Sequence, residues 1–317
     1  MTQAKHRPLV LVQGGWLIEQ LADWHDDFVL EPFDPSVRAS GAVGVTANAE
    51  VLAWDGSDLP ERALALLPRL KLVAGFGTGY GKLDLRHLRA RGIALTNAAG
   101  ANAHDVADHA TALLLGLWHR LGEYDRAVRE GAWRSTIPMR PSLRGRRAGI
   151  VGLGRIGQAI ADRLVTHDLK VRWWGPRSKR NVPYERAEGL VALAEWADIL
   201  IVASRGIEAN RHQIDDEVLE ALGREGVFIN VSRGLLVDED ALVARLWTGR
   251  LGAAGLDVFE PEPAASDRWA GVPNTVLTPH AAGATREGLS ALLGQLRENV
   301  RRFFAGEVLL SPVDDRV

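Results

Sequence analysis

Residues 149–164 read GIVGLGRIGQAIADRL. An apolar run leads into a turn that sets Gly152, Gly154 and Gly157 in G-x-G-x-x-G spacing, and a helical pattern follows. In a strand–turn–helix setting, such glycines allow a sharp turn and let the backbone approach a pyrophosphate at the helix N-terminus. Arg155 and Ile156 lie in the same turn. The spacing alone is equally that of a tight packing turn; its setting makes it a dinucleotide signature.

The pattern around this turn is one of alternation. PLVLV, EVLAW, LKLVAGF, IALTN, RAGIVGLG, KVRWW, DILIVAS, GVFINVS, AAGLDVF and TVLTPH read as strands. Several are continuous apolar runs, as in strands buried on both faces of a parallel sheet. Helical stretches such as DLPERALALLP and DEDALVARLWTG separate them, so the fold class is α/β, doubly wound. The glycine turn comes mid-chain, and the segment before it must form something else. The helical stretch from Asn102 through Gly131 is the longest apolar-rich one, with Asn102 as N-cap and Asp105 three residues on. Its apolar content exceeds one face, which predicts burial between domains or subunits. Trp133, just after it, reads as core or interface. The last helix, LSALLGQLRENVRRFFAGE, is expected to return to the first part of the chain.

Composition sets the class. A chain of 317 residues, 46% hydrophobic and 25% charged, can bury two cores. The formal charge of −2 speaks against a nucleic-acid or membrane surface. There is no cysteine, which excludes disulfides, thiolate metal sites and cysteine nucleophiles. The nine His are scattered, and His104 and His109 lie off one helical face, so a metal centre is not expected. The opening MTQAKHRPLVLVQGG is too short in its apolar part for a signal core and reads as a first strand, which predicts a cytoplasmic protein. Five of the 38 basic residues are Lys. In a chain so rich in Arg, a single Arg is evidence only where position supports it.

One stretch has such a position. KVRWWGPRSKR, residues 170–180, ends the strand after the glycine turn. An Asp or Glu that holds the adenosine ribose normally sits at that strand tip. Here Gly175 occupies it, 18 residues after Gly157, and Arg177, Ser178, Lys179 and Arg180 follow. Cations and a hydroxyl suit a 2′-phosphate, and an acid would repel it. Arg177, Ser178 and Arg180 are the expected contacts, so the cofactor should be NADP(H), with NAD the other candidate. The competing reading is a solvated basic loop.

Three further polar groups stand just past strands: Arg233 in FINVSRG, Glu262 in DVFEPEP and His280 in LTPHAAG. Ligands bind at the carboxyl ends of strands in open α/β sheets. Reduction of a 2-keto acid needs a cation to hold the carboxylate and polarise the ketone. It also needs an acid titrating near neutrality, for which His is suited, and a carboxylate beside that His. With these residues in view, the chain resembles the D-isomer-specific 2-hydroxyacid dehydrogenases, nearest to their NADPH-linked glyoxylate/hydroxypyruvate and hydroxyphenylpyruvate reductases. The similarity runs from LPRLKLVAGFGTGYGKLDL through GLGRIG to NVRRFFAGEVLLSPV, and the intervals of 29 and 18 residues between Arg233, Glu262 and His280 match the family's catalytic trio.

The resemblance implies a Rossmann-type coenzyme domain at 100–285, inserted into a flavodoxin-like substrate domain of residues 1–99 plus 286–317, with the active site between them. It implies Arg233, Glu262 and His280 as catalytic residues, with Arg233 and His280 also touching substrate. Gly77, Thr78 and Gly79 in GFGTGYG match the loop that presents N–H groups to the substrate carboxylate. Asp257 matches the acid that meets the nicotinamide amide, and Val106 a residue packed near that ring, although a turn-capping Asp and a core Val fit equally. Trp54, in AWDGSD, is expected to line the substrate pocket, with core packing as the alternative. The family habit also implies a homodimer, with the helix near Asn102–Leu121 at its seam. Departures are Gly81, where an acid is usual, Arg205 for a common Pro and Asn210 for a common Thr. The alternative function on the same fold is a non-enzymatic NAD(P)-sensing protein of the corepressor type.

Overall fold

The computed structural model describes residues 7–36, 46–134 and 139–313. The chain divides into two compact units, Met1–Asn102 with Arg286–Val317, and Ala103–Thr285.

The first unit holds five parallel strands: β1 (Leu9–Gln13), β2 (Val29–Phe33), β3 (Val51–Trp54), β4 (Leu72–Gly75) and β5 (Ala94–Thr96), in the order β2-β1-β3-β4-β5. Period-two alternation sorts their side chains onto two faces. Leu11, Leu52, Trp54, Val73 and Leu95 share one core, and Val10, Val12, Val51, Ala53 and Leu72 share the other. Leu296 and Val300 of the closing helix, Arg286–Ala305, pack into that second core. β2 was not legible in the sequence because VLEPF carries Glu31 and Pro32; an edge strand tolerates both.

The second unit holds seven parallel strands: β6 (Arg147–Val151), β7 (Lys170–Trp174), β8 (Glu185–Arg186), β9 (Ile199–Val202), β10 (Val227–Asn230), β11 (Ala253–Leu256) and β12 (Thr275–Leu277). Their order is β12-β11-β10-β9-β6-β7-β8, so the winding reverses between β6 and β9. A ligand crevice opens outside the carboxyl ends at such a reversal. β9 and β10 are buried along their whole length, as apolar central strands must be. β8 is only two exposed residues, too short for any sequence pattern.

The stretch from Asn102 to Gly131 differs from its reading as one helix. It forms two, Ala103–Trp118 and Leu121–Arg129, parted at Arg120 with φ +53°. The expected Asn102 cap is not made; Asn102 Oδ1 is buried without a partner, and Asp105 instead accepts from the Thr285 hydroxyl at 2.8 Å. The first helix buries one face within its own unit. Val106, Ala110, Leu113 and Leu114 are buried in the same core as Ile150, Ile160 and Ile229. The exposed apolar side chains come later, at Leu121, Val128, Trp133 and Met139.

Candidate active site and cofactor turn

The glycine turn joins β6 to the helix Arg155–Thr166. Gly152 has φ +91°, and a Cβ there would stand 2.5 Å from Ser204 Cα. A Cβ at Gly157 would stand 2.0 Å from Gly152 O. These two positions admit only glycine: one for the turn and its approach to the segment after β9, the other for helix packing. Gly154 differs. It is the N-cap, makes no side-chain cap, and a Cβ there would meet nothing within 4 Å. Open space thus lies before the helix start, where N–H groups favour an anion. Arg155 is exposed at that start and Ile156 is half-buried.

β7 ends at Trp174, and Gly175 follows with its carbonyl taken by Arg186 at 2.7 Å. Arg177, Ser178 and Arg180 are exposed, and among the described residues their side chains make no hydrogen bond or ion pair. Arginine elsewhere behaves differently. Arg211 is held between Glu208 and Glu260, and Arg301 between Glu298 and Glu307. The open cradle at Gly154 and the uncommitted cations beyond β7 fit a dinucleotide carrying an extra phosphate.

Past β10, Arg233 follows a short turn in which Asn230 Nδ2 donates to its carbonyl at 3.0 Å. Its Nη1 donates to Ser232 O. Burial lowers the pKa of the guanidinium and the charge of Glu262 opposes that shift. Past β11, Glu262 accepts from Phe259 N–H at 3.1 Å through Oε1. Its Oε2 lies 2.8 Å from His280 Nδ1. Burial pushes the Glu262 carboxyl up, but the His280 hydrogen bond and charge, the Phe259 N–H and Arg233 together hold it below its ordinary value. The Glu262 and His280 side chains are 37% and 46% exposed, so the pair faces open space. Three residues separated by 29 and 18 positions therefore share one electrostatic neighbourhood in the second unit.

Of the two residues expected near the nicotinamide, one packs in a core and the other caps a turn. Val106 is a core side chain, 6% exposed, on the face of its helix that packs inward. Asp257 is 1% exposed, and its carboxylate accepts from the Thr278 hydroxyl and from the N–H groups of Ala281 and Ala282. It caps the turn that carries His280. His109 and Thr278, 2.9 Å apart, belong to the same cluster and were not singled out as site residues. The signal was the interval: His109 faces its partner 169 positions away, which no local pattern reveals. Asn210, one of the departures, closes its own loop by accepting from Ile207 N–H and donating to Arg205 O.

In the first unit, the loop after β4 places Gly77, Thr78 and Gly79 half-buried. Ala98 N–H donates to Gly77 O at 2.9 Å, and Asn97 Nδ2 donates to Thr78 O at 2.7 Å. Their carbonyls are thereby tied back. Among the described residues nothing accepts from the N–H groups of Gly77, Thr78 or Gly79. Free backbone donors of this kind are available to an anion. Trp54 departs from its expected role. It is 1% exposed, packs with Leu11 and Leu52, and donates Nε1 to Ser57 O at 2.8 Å. It is the last strand residue, on the same inward face as Leu52, so it presents no surface to a substrate.

Comparison with known proteins gives the family. Residues 111–282 match the D-isomer specific 2-hydroxyacid dehydrogenase NAD binding domain. The chain is 39% identical to a glyoxylate/hydroxypyruvate reductase A of Arabidopsis thaliana over 90% of its own length and 88% of the relative's. It is 40% identical to a hydroxyphenylpyruvate reductase of Plectranthus scutellarioides over 78% and 79% of the two chains. Among solved structures, an NADPH-dependent glyoxylate/hydroxypyruvate reductase of Sinorhizobium meliloti, in complex with NADP and malonate, superimposes with a TM-score of 0.87. It is 34% identical, with 97% of each chain covered. The glycine turn and the strand-end trio thus sit in a chain that belongs to the D-isomer specific 2-hydroxyacid dehydrogenases, NAD(P)-dependent oxidoreductases.

Proposed function

We propose that the protein reduces a small 2-keto acid, of the glyoxylate, hydroxypyruvate or aryl-pyruvate kind, to the D-2-hydroxy acid with NADPH. The observation that carries this is the His280–Glu262 pair beside Arg233. When bound, the cofactor supplies a hydride. Gly152, Gly154, Arg155, Ile156 and Gly157 hold its pyrophosphate, and Arg177, Ser178 and Arg180 its 2′-phosphate.

His280 has Nδ1 committed to Glu262, which leaves Nε2 to give a proton to the keto oxygen. Glu262 stays ionised because its pKa is depressed, so it accepts from the imidazole and keeps it oriented. Arg233 stays a cation despite its burial, because a guanidinium titrates far above neutrality. It binds the substrate carboxylate and draws charge from the ketone. The N–H groups of Gly77, Thr78 and Gly79 offer a carboxylate neutral donors. The second unit is the coenzyme domain and the first the substrate domain.

The protein works in the cytoplasm as a homodimer joined through coenzyme domains. Exposed Leu121, Val128, Trp133 and Met139 support that seam, in place of the inward-packed helix before them. The test is NADPH oxidation against a panel of 2-keto acids, with light scattering on the same sample. Turnover with none of them contradicts the reaction, and a mass near 34.5 kDa contradicts the dimer.

A further inference from the structure

Behind the His280 turn runs a chain of hydrogen bonds that the proposed reaction does not use. Asp257 Oδ1 accepts from the Thr278 hydroxyl at 2.6 Å and from Ala281 N–H at 2.8 Å. Its Oδ2 accepts from Ala282 N–H at 3.0 Å, and its carbonyl from His280 N–H at 2.7 Å. A threonine hydroxyl has one proton, and here Asp257 takes it. The Thr278 oxygen can then only accept from His109 Nε2, 2.9 Å away, which places a His109 proton on Nε2. His109 Nε2 also stands 3.6 Å from Asp257 Oδ1. His280 itself has φ +53°, a conformation a non-glycine residue keeps only when its surroundings impose it.

We propose that His109 and Thr278 are positioning residues that act through Asp257 to hold His280 in the left-handed turn where its Nδ1 meets Glu262. This deepens the reading of His280 as general acid and rests on it. The helix Ala103–Trp118 reaches the reacting histidine through one imidazole, one hydroxyl and one buried carboxylate. Removing Thr278 takes a donor from Asp257, and removing His109 takes the donor that orients the Thr278 hydroxyl; either change loosens the turn Asp257 caps, while Glu262 and Arg233 stay in place.

The experiment compares full-length wild type with Thr278→Val, Thr278→Ser, His109→Leu, His109→Gln and the reference His280→Ala. One measurement is kcat and KM with NADPH and glyoxylate; the other is amide hydrogen exchange without cofactor. Thr278→Val and His109→Leu should each lower kcat about tenfold or more, as small misplacements of reacting groups do. KM for NADPH should stay within about twofold of wild type. Thr278→Ser and His109→Gln, which keep the donors, should restore most of the rate. Because both act along one path, the double variant should be little worse than the poorer single one. The amides of His280, Ala281 and Ala282 should exchange about tenfold faster, the effect of one lost hydrogen bond, with the rest of the sheet unchanged.

Unchanged kcat and unchanged exchange in both apolar variants overturn the proposal. So does a raised KM for NADPH at constant kcat, which would assign Asp257 to the cofactor instead. Full activity of His280→Ala overturns the general-acid reading by itself, whereas the exchange data test the hydrogen-bond chain independently. Should valine at 278 prevent folding, the His109 pair decides, since that side chain is 25% exposed and its replacement leaves the core intact.

Discussion

Beyond β11 and β12 the chain satisfies its charged groups from within. Glu262 is bonded to His280 and to Phe259 N–H, and Asp257 receives three donors. Beyond β7 it does not. Arg177, Ser178 and Arg180 stand exposed without a partner among the described residues, next to a glycine where an acid is usual. Both regions belong to one parallel sheet and both lie past strand ends. The difference is one of preorganisation. A group that must transfer a proton gains from being oriented before substrate arrives, because no reorganisation remains for the reaction. A group that only neutralises a phosphate can be ordered by the ligand itself.

Substitutions in the two regions should therefore differ in size and in kind. Apart from His280, the largest effect is expected at Arg233. Arg233→Ala should lower kcat/KM for keto acids about 10²–10³-fold without changing KM for NADPH, as loss of a charge-stabilising donor does. A rise in KM for NADPH instead would move Arg233 to the cofactor side and blur the contrast.

The basic loop should give the next effect, confined to cofactor choice. Each charge-assisted bond to a phosphate contributes about 1.5–3 kcal/mol, which is about 10–100-fold in preference. Gly175→Asp combined with Arg177→Ala should shift kcat/KM from NADPH towards NADH by about that factor. Substrate ranking should not change. A wild type that already uses NADH as well as NADPH would make the run a solvated loop.

Glu262 offers a smaller test through pH. Its folded pKa lies below the ordinary value, so its contribution to stability is complete above that value and is lost as pH falls through the folded one. Thermal unfolding of Glu262→Gln should consequently depend less on pH than wild type below about pH 4.5. Identical pH slopes would mean that the pair does not hold the carboxylate ionised.

The smallest functional effect is expected from Trp54. Trp54→Ala should destabilise the first unit by about 3–5 kcal/mol, the loss for a large buried aromatic. The order of kcat/KM among small and aryl keto acids should stay the same. A changed order would return Trp54 to the substrate.

Trp54 also shows where sequence reading stops. The strand EVLAW was legible, and period two already set Trp54 on the face of Leu52. The adjoining DGSD made it look like loop. The glycine turn and the trio Arg233, Glu262 and His280 were legible as candidates because each sets a specific residue type at a strand end. β2 was not, since Glu31 and Pro32 break the apolar run that marks a buried strand. The clamp of His109, Thr278 and Asp257 was not legible as a unit, because it joins a helix to a turn far along the chain. For the helix expected at a seam, apolar excess says that a face is buried but not by what; the sheet of its own unit covers Val106, Ala110, Leu113 and Leu114.

A prebuilt proton donor in the second unit should dominate the rate. The rate of NADPH oxidation with saturating hydroxypyruvate, in wild type and His280→Ala, tests it most directly. The variant should lose about 10²–10⁴-fold, the range for a missing general acid, with NADPH binding unchanged. A variant that turns over at the wild-type rate would contradict it.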